Sequence, residues 1–192
     1  MKEIIAITGG IGAGKSVVSH VLRALGYPVY DSDSRAKALM DSDAAIKERL
    51  AVEIAREVIC GDAIDRAALA RIVFADSVKL AKLNAIVHQA VRLDIAGWVS
   101  RQSASRVFVE TAILYQSGLN RMVDAEWRVT APEALRIERV MARNGLSADA
   151  VRARIESQRY EPAPDEPRPE LHELLNDGVT PLLPRIEALL GA

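Results

Sequence analysis

Eight residues near the start of the chain constrain what can be built around them: Gly9-Gly10-Ile11-Gly12-Ala13-Gly14-Lys15-Ser16 has the spacing G-x-x-x-x-G-K-[ST]. Glycines so placed let successive backbone N–H groups turn inward around phosphate oxygens. Directly before them, Ile4-Ile5-Ala6-Ile7 is a short apolar run rich in β-branched residues, the pattern of a parallel strand covered on both faces. Directly after them, Val18, Val21, Leu22 and Leu25 recur at helical spacing, and Gly26 stands where a helix C-terminus is capped. Strand, glycine loop and helix predict a cradle for ATP in which the helix start adds its positive end. Gly10, Gly12, Ala13, Gly14, Lys15, Ser16 and Val17 are the expected nucleotide contacts. Lys15 is expected to bridge the β- and γ-phosphates, and the Ser16 hydroxyl to ligate Mg²⁺.

Beyond the loop, Tyr27-Pro28-Val29-Tyr30 predicts a second strand ending at Asp31-Ser32-Asp33, at the carboxyl edge where open α/β sheets keep their ligands. Two apart in a strand end, Asp31 and Asp33 would share one face. Phosphoryl transfer needs a carboxylate beside the attacking oxygen, and Asp33 is assigned that role, with Asp31 nearer the metal. The same triplet equally serves to cap the next helix, and the residues leave both readings open. Residues 34–102 change to alanine, leucine and alternating charge, predicting an all-helical insert interrupted at Cys60-Gly61-Asp62. Arg106 to Glu110 predicts a third strand. Glu110 at its end suits either a magnesium-bound water or a helix start. Asp124 to Val129 predicts a fourth strand, Pro132 to Arg143 a helix, and Ser147 the cap of another. Four prolines between Glu161 and Pro169 exclude regular helix there. Leu171 to Leu175 predicts the last strand and Pro181 to Leu190 the last helix.

Arg136, Arg139 and Arg143 lie three and four apart, so they share a helix face that could close over a triphosphate, although such a run also suits a solvated face paired with Glu133 and Glu138. His88 in a helical stretch is open to a packing or a binding role, and Trp98 and Trp127 read as core or subdomain contacts. With 25 basic against 26 acidic residues and a net charge of −1, no basic track for nucleic acid is present. The lone Cys60 fits a reducing compartment, and no apolar run is long enough to span a membrane, which together predict a cytoplasmic location.

These residues resemble dephospho-coenzyme A kinase. Thr8 to Ser16 is close to that family's T-G-G-I-G-S-G-K-S, and Asp31-Ser32-Asp33 is similar to its D-A-D. Ile64-Asp65-Arg66, Leu69, Val73-Phe74, Leu80, Leu83 and Ile86-Val87-His88 resemble the family's helical insert. Arg139 and Arg143, Gln158 and Asn176-Asp177-Gly178 resemble its lid arginines, the following glutamine and a loop near adenine. The resemblance implies an α/β, three-layer P-loop nucleotide kinase fold with a mostly parallel five-stranded sheet, one domain in three parts. The core is expected at 1–33, 103–138 and 170–192, a helical acceptor-binding insert at 34–102 and a lid at 139–169. It implies ATP- and Mg²⁺-dependent phosphorylation of the 3′-hydroxyl of dephospho-coenzyme A, a small-molecule substrate, by a monomer that binds neither nucleic acid nor membrane. Asp33, Lys15, Arg139 and Arg143 are then the expected catalytic residues. Asp33, Phe74 and His88 would hold the acceptor, Asn176 the nucleotide, and Ser16 and Asp31 the metal. Gln89, Ala112, Gln116 and the run from Pro162 to Pro169 depart from the family pattern. Another small acceptor, or a nucleotide-binding regulator without transfer, are the alternatives.

Overall fold

The computed structural model describes residues 2–158, 160, 162–163 and 165–191. Arg159, Glu161 and Pro164, which belong to the expected lid, lie outside the described residues. Along the chain come β1 (Glu3–Thr8), α1 (Lys15–Ala24), β2 (Val29–Asp31), α2 (Ser32–Ser42), α3 (Ala44–Glu53), a 3-10 turn (Arg56–Val58), β3 (Ile59–Cys60), β4 (Ala63–Ile64), α4 (Arg66–Ala75) and α5 (Ser77–Arg101). They are followed by β5 (Arg106–Glu110), β6 (Ala125–Thr130), α6 (Glu133–Asn144), α7 (Ala148–Ser157), β7 (Glu170–Leu175) and α8 (Leu182–Leu190). Two compact units result, residues 1–31 with 102–192, and residues 32–101.

The first unit is a five-stranded sheet in the order β2-β5-β1-β6-β7. The sequence predicts a mostly parallel sheet; every pairing described within this five-stranded sheet is parallel. Side chains alternate across the pleat, so Ile5 and Ile7 of β1 share a face with Phe108 of β5 and with Trp127 and Val129 of β6. These join Val18 and Leu22 of α1 and Ile186 of α8 in the main core. Phe108 meets Trp127 at a centroid distance of 5.1 Å and Tyr27 edge-on at 5.5 Å. Ala6 and Thr8 turn to the opposite face, as do Glu126 and Arg128, which pair with them in register. A second cluster, Val140, Val151 and Ile155, fastens α6 to α7 and takes in Ile11 from the glycine loop. At one border of the sheet β2 is three residues long; at the other, β7 carries Glu170 and Glu173 and pairs only with β6 among the described strands.

The second unit packs Ile46, Leu50, Ile54, Val58, Leu69, Val73 and Ile86 into its own core. Asp43 and Asp65 cap α3 and α4 by accepting from backbone N–H groups two and three residues on. Two expectations are corrected here. The insert is not all-helical: Ile59 pairs with Ile64 and Cys60 with Ala63, an antiparallel hairpin whose two-residue turn is Gly61-Asp62. Gly61 makes the turn with φ 59°, a conformation glycine adopts without a side-chain clash. The second correction concerns the acidic triplet. The strand stops at Asp31 and Ser32 already begins α2, so Asp33 stands in a first helical turn and the two-residue strand period does not relate it to Asp31.

Candidate active site

The glycine loop bridges the end of β1 and the start of α1. Gly9, Gly12 and Gly14 have φ of 136°, 79° and 99°, a region that L side chains rarely adopt. Space enforces the same choice. A β-carbon on Gly9 would run into the Val129 carbonyl, and one on Gly12 would lie 2.6 Å from the Arg136 carbonyl oxygen. Lys15 Nζ donates to the Gly9 carbonyl at 2.8 Å, which holds the ammonium at the mouth of the loop. Ser16 and Val17 are exposed on the first turn of α1. Asn176, at the end of β7 and 9% exposed, donates from Nδ2 to the Ala13 carbonyl at 2.9 Å.

The arginine face of α6 is used unevenly. Arg136 Nε donates to the Ile11 carbonyl at 2.9 Å, and Arg139 Nη1 to the Asn176 carbonyl at 3.1 Å and to that of Gly12 at 3.5 Å. Arg143, one turn farther on, is exposed and donates to the side chain of Asn144 at 2.9 Å. Gln158, at the end of α7, accepts from the Ile11 N–H at 2.8 Å. Arg136 and Gln158 thus hold the C=O and the N–H of the same loop residue, Ile11; the sequence names Arg136 on the shared arginine face and Gln158 through the resemblance, but assigns neither of them this contact. Spacing gives all three arginines the same face and cannot say which of them reaches the loop.

Asp31 pairs in register with Glu110 across β2 and β5, and Ile7 of β1 pairs with Glu110 from the other side. Two carboxylates therefore stand next to each other on the carboxyl edge of the sheet from which the loop departs. Carboxylate oxygens are hard donors, of the chemical kind that Mg²⁺ prefers. Among the described residues no three His, Cys, Asp or Glu side chains group to hold a metal alone. Within the second unit, Asp33 is exposed on α2, Phe74 is 80% exposed near the end of α4, and His88 is half-buried on α5.

Beside the loop, Thr8, Gly9, Gly10, Tyr115, Glu126 and Arg128 help line a cavity of about 440 Å³. Glu126, 2% exposed, accepts from Thr8, Tyr115 and Arg128. Burial and the Glu126 carboxylate, which its hydroxyl donates to and whose charge opposes a phenolate, push the Tyr115 hydroxyl up to about 12. Burial acts to lower Arg128, but its hydrogen bonds to Glu126 and the carboxylate charge outweigh that, and the net shift is upward. Because the folded state holds the Tyr115 proton more tightly than the unfolded chain, this group's contribution to stability is complete below pH 10 and is lost as pH rises toward 12. Alkaline unfolding of Tyr115→Phe is expected to lack that component, as followed by circular dichroism against pH.

No helix among the described residues is long and apolar enough to cross a membrane. The family model described as dephospho-CoA kinase matches residues 3–168. A dephospho-CoA kinase of Porphyromonas gingivalis is 44% identical over 157 residues, 82% of this chain and 78% of the relative. One of Bacteroides fragilis is 38% identical over 190 residues, covering 97% and 91%. A crystal structure from Thermus thermophilus superposes with a TM-score of 0.76 at 38% identity, covering 99% of this chain and 95% of that one. With the glycine loop, its arginine and asparagine supports and the parallel sheet behind them, these matches show that the chain belongs to the dephospho-CoA kinase family.

Proposed function

We propose that this chain transfers the γ-phosphoryl group of ATP to the ribose 3′-hydroxyl of dephospho-coenzyme A, the final step of coenzyme A synthesis, with the following division of labour. The main-chain N–H groups of Gly10, Gly12, Ala13, Gly14, Lys15, Ser16 and Val17 take up the polyphosphate. Lys15 leaves the Gly9 carbonyl and neutralises charge that builds up between the β- and γ-phosphates. Asp33 orients the acceptor hydroxyl and receives its proton as the oxygen attacks phosphorus, with Phe74 and His88 holding the acceptor. Arg139 acts on the phosphate chain from α6, and Arg143 joins it when that segment closes. Asn176 supports the nucleotide beside Ala13. Ser16 and Asp31 would hold Mg²⁺, which when bound supplies charge neutralisation between the phosphates. The reaction is assigned to the cytoplasm, where the exposed thiol of Cys60 stays reduced, and to a monomer.

The observation that carries this reading is the loop with its ammonium: Lys15 Nζ stands 2.8 Å from Gly9 O within a turn shaped by three positive-φ glycines. Purified protein is expected to release ADP only when ATP, Mg²⁺ and dephospho-coenzyme A are all present, in a coupled assay. Chelation should stop release and added Mg²⁺ restore it. ADP formed equally fast with an unrelated sugar or nucleotide acceptor would overturn the acceptor assignment, and nucleotide binding without product from any acceptor would overturn transfer itself.

A further inference from the structure

A carboxylate that is 2% exposed needs a reason to be there, since an apolar side chain of its size would pack without a desolvation cost. Glu126 has four donors. Oε1 accepts from Thr8 Oγ1 at 2.6 Å and Arg128 Nε at 3.0 Å; Oε2 accepts from the Tyr115 hydroxyl at 2.8 Å and Arg128 Nη2 at 3.2 Å. Arg128 neutralises the charge from the same strand, and the remaining donors come from two distant segments. Thr8 is the last residue of β1, directly before Gly9, whose carbonyl receives the Lys15 ammonium. Tyr115 lies in the connection after β5, and its ring stacks on Tyr160 at 6.0 Å and 17°. Two residues before Tyr160, Gln158 accepts from Ile11 N–H of the loop. Gln158 and Tyr160 are therefore each joined to the glycine loop, Gln158 directly at Ile11 and Tyr160 through Tyr115, Glu126 and Thr8 at its entrance.

We propose that Glu126 is a positioning residue of the nucleotide site: it fixes the Thr8 side chain, and with it the point where β1 turns into the glycine loop, in register with Tyr160 through Tyr115. It touches no reacting atom in this proposal and acts only through Thr8 and Tyr115. The inference rests on the reading of the loop as an ATP site but not on the acceptor. Arg128 needs a compensating anion, which Glu126 supplies from the same strand; the hydroxyl bond to Thr8 ties that anion directly to the start of the loop.

The test compares Glu126→Gln, Thr8→Val, Thr8→Ser and the Glu126→Gln/Thr8→Val double variant. ATP affinity is measured by equilibrium dialysis and KM and kcat by ADP release, below the melting point of each variant. Glu126→Gln turns an amide N–H₂ toward one of the present donors, and it is expected to weaken ATP affinity and raise KM for ATP about tenfold, with KM for the acceptor unchanged. Thr8→Val should do the same, Thr8→Ser should stay near wild type, and the double variant should be no worse than either single one, because both cut one link. Folded Glu126→Gln or Thr8→Val protein with wild-type ATP affinity, or effects that add in the double variant, would overturn the proposal. If Glu126→Gln fails to fold, the contrast between Thr8→Val and Thr8→Ser decides it. Failure of acceptor turnover in the wild type would defeat the proposed reaction and leave the dialysis result to judge Glu126 separately.

Discussion

Asp33→Asn is expected to lower kcat by about 10²–10⁴-fold while leaving KM for ATP near its wild-type value. The amide is nearly the same shape as the carboxylate and can still accept a hydrogen bond in the first turn of α2, so the helix that begins at Ser32 is kept. What it cannot do is take a proton from the attacking hydroxyl. Steady-state kinetics with ATP and acceptor varied in turn separates the two effects. Undiminished kcat in the folded variant would remove Asp33 from the proton-accepting role and return the acidic triplet to a capping function.

Lys15→Met should lose about 10²–10³-fold in kcat/KM for ATP, and the loss should not be recovered at saturating ATP. Methionine keeps an unbranched stem, so the buried Ala13 and Val18 of the main core that flank this turn keep their packing. The variant loses the cation that stands 2.8 Å from the Gly9 carbonyl. A variant that melts like the wild type but turns over slowly would separate this electrostatic part from stability. A change confined to KM would mean that Lys15 binds ground state and transition state equally well.

The parts of this molecule legible in the sequence are those whose signal is local. Ile4 to Ile7 is apolar on both faces because β1 lies in the middle of the sheet, and Gly12 and Gly14 are needed where φ is positive. Ser147 is recognisable as a cap, and it does accept from Ala150 N–H at 3.3 Å. What escaped were short or long-range features. Two-residue strands such as Ile59–Cys60 and Ala63–Ile64 are below the length at which alternation can be counted. The boundary at Asp31 and Ser32 was missed because aspartate and serine suit a strand end and a helix start alike.

Glu126 shows the other limit. In Ala-Glu-Trp-Arg-Val-Thr the alternation is that of a half-exposed strand, with Glu126 and Arg128 pointing at water. Its Thr8 partner is 118 positions away, so nothing nearby reveals that this face is covered. For Arg136 and Gln158, which the sequence does single out, it is the contacts that lie out of reach: the Arg136 carbonyl blocks a side chain at Gly12, and Gln158 reaches Ile11 across 147 positions. For the site as a whole, the glycine turn between strand and helix could be read from residue types, and the side chains that brace it across the fold could not.

The two borders of the five-stranded sheet are guarded by different means. At one, three residues offer an approaching chain too little ladder to grip. At the other, six residues are available, with Leu171 and Leu175 exposed, but Glu170 and Glu173 are interleaved with them. A second copy docking there in fibril fashion would bring like carboxylates together, so unwanted growth of the sheet from this side is opposed by charge.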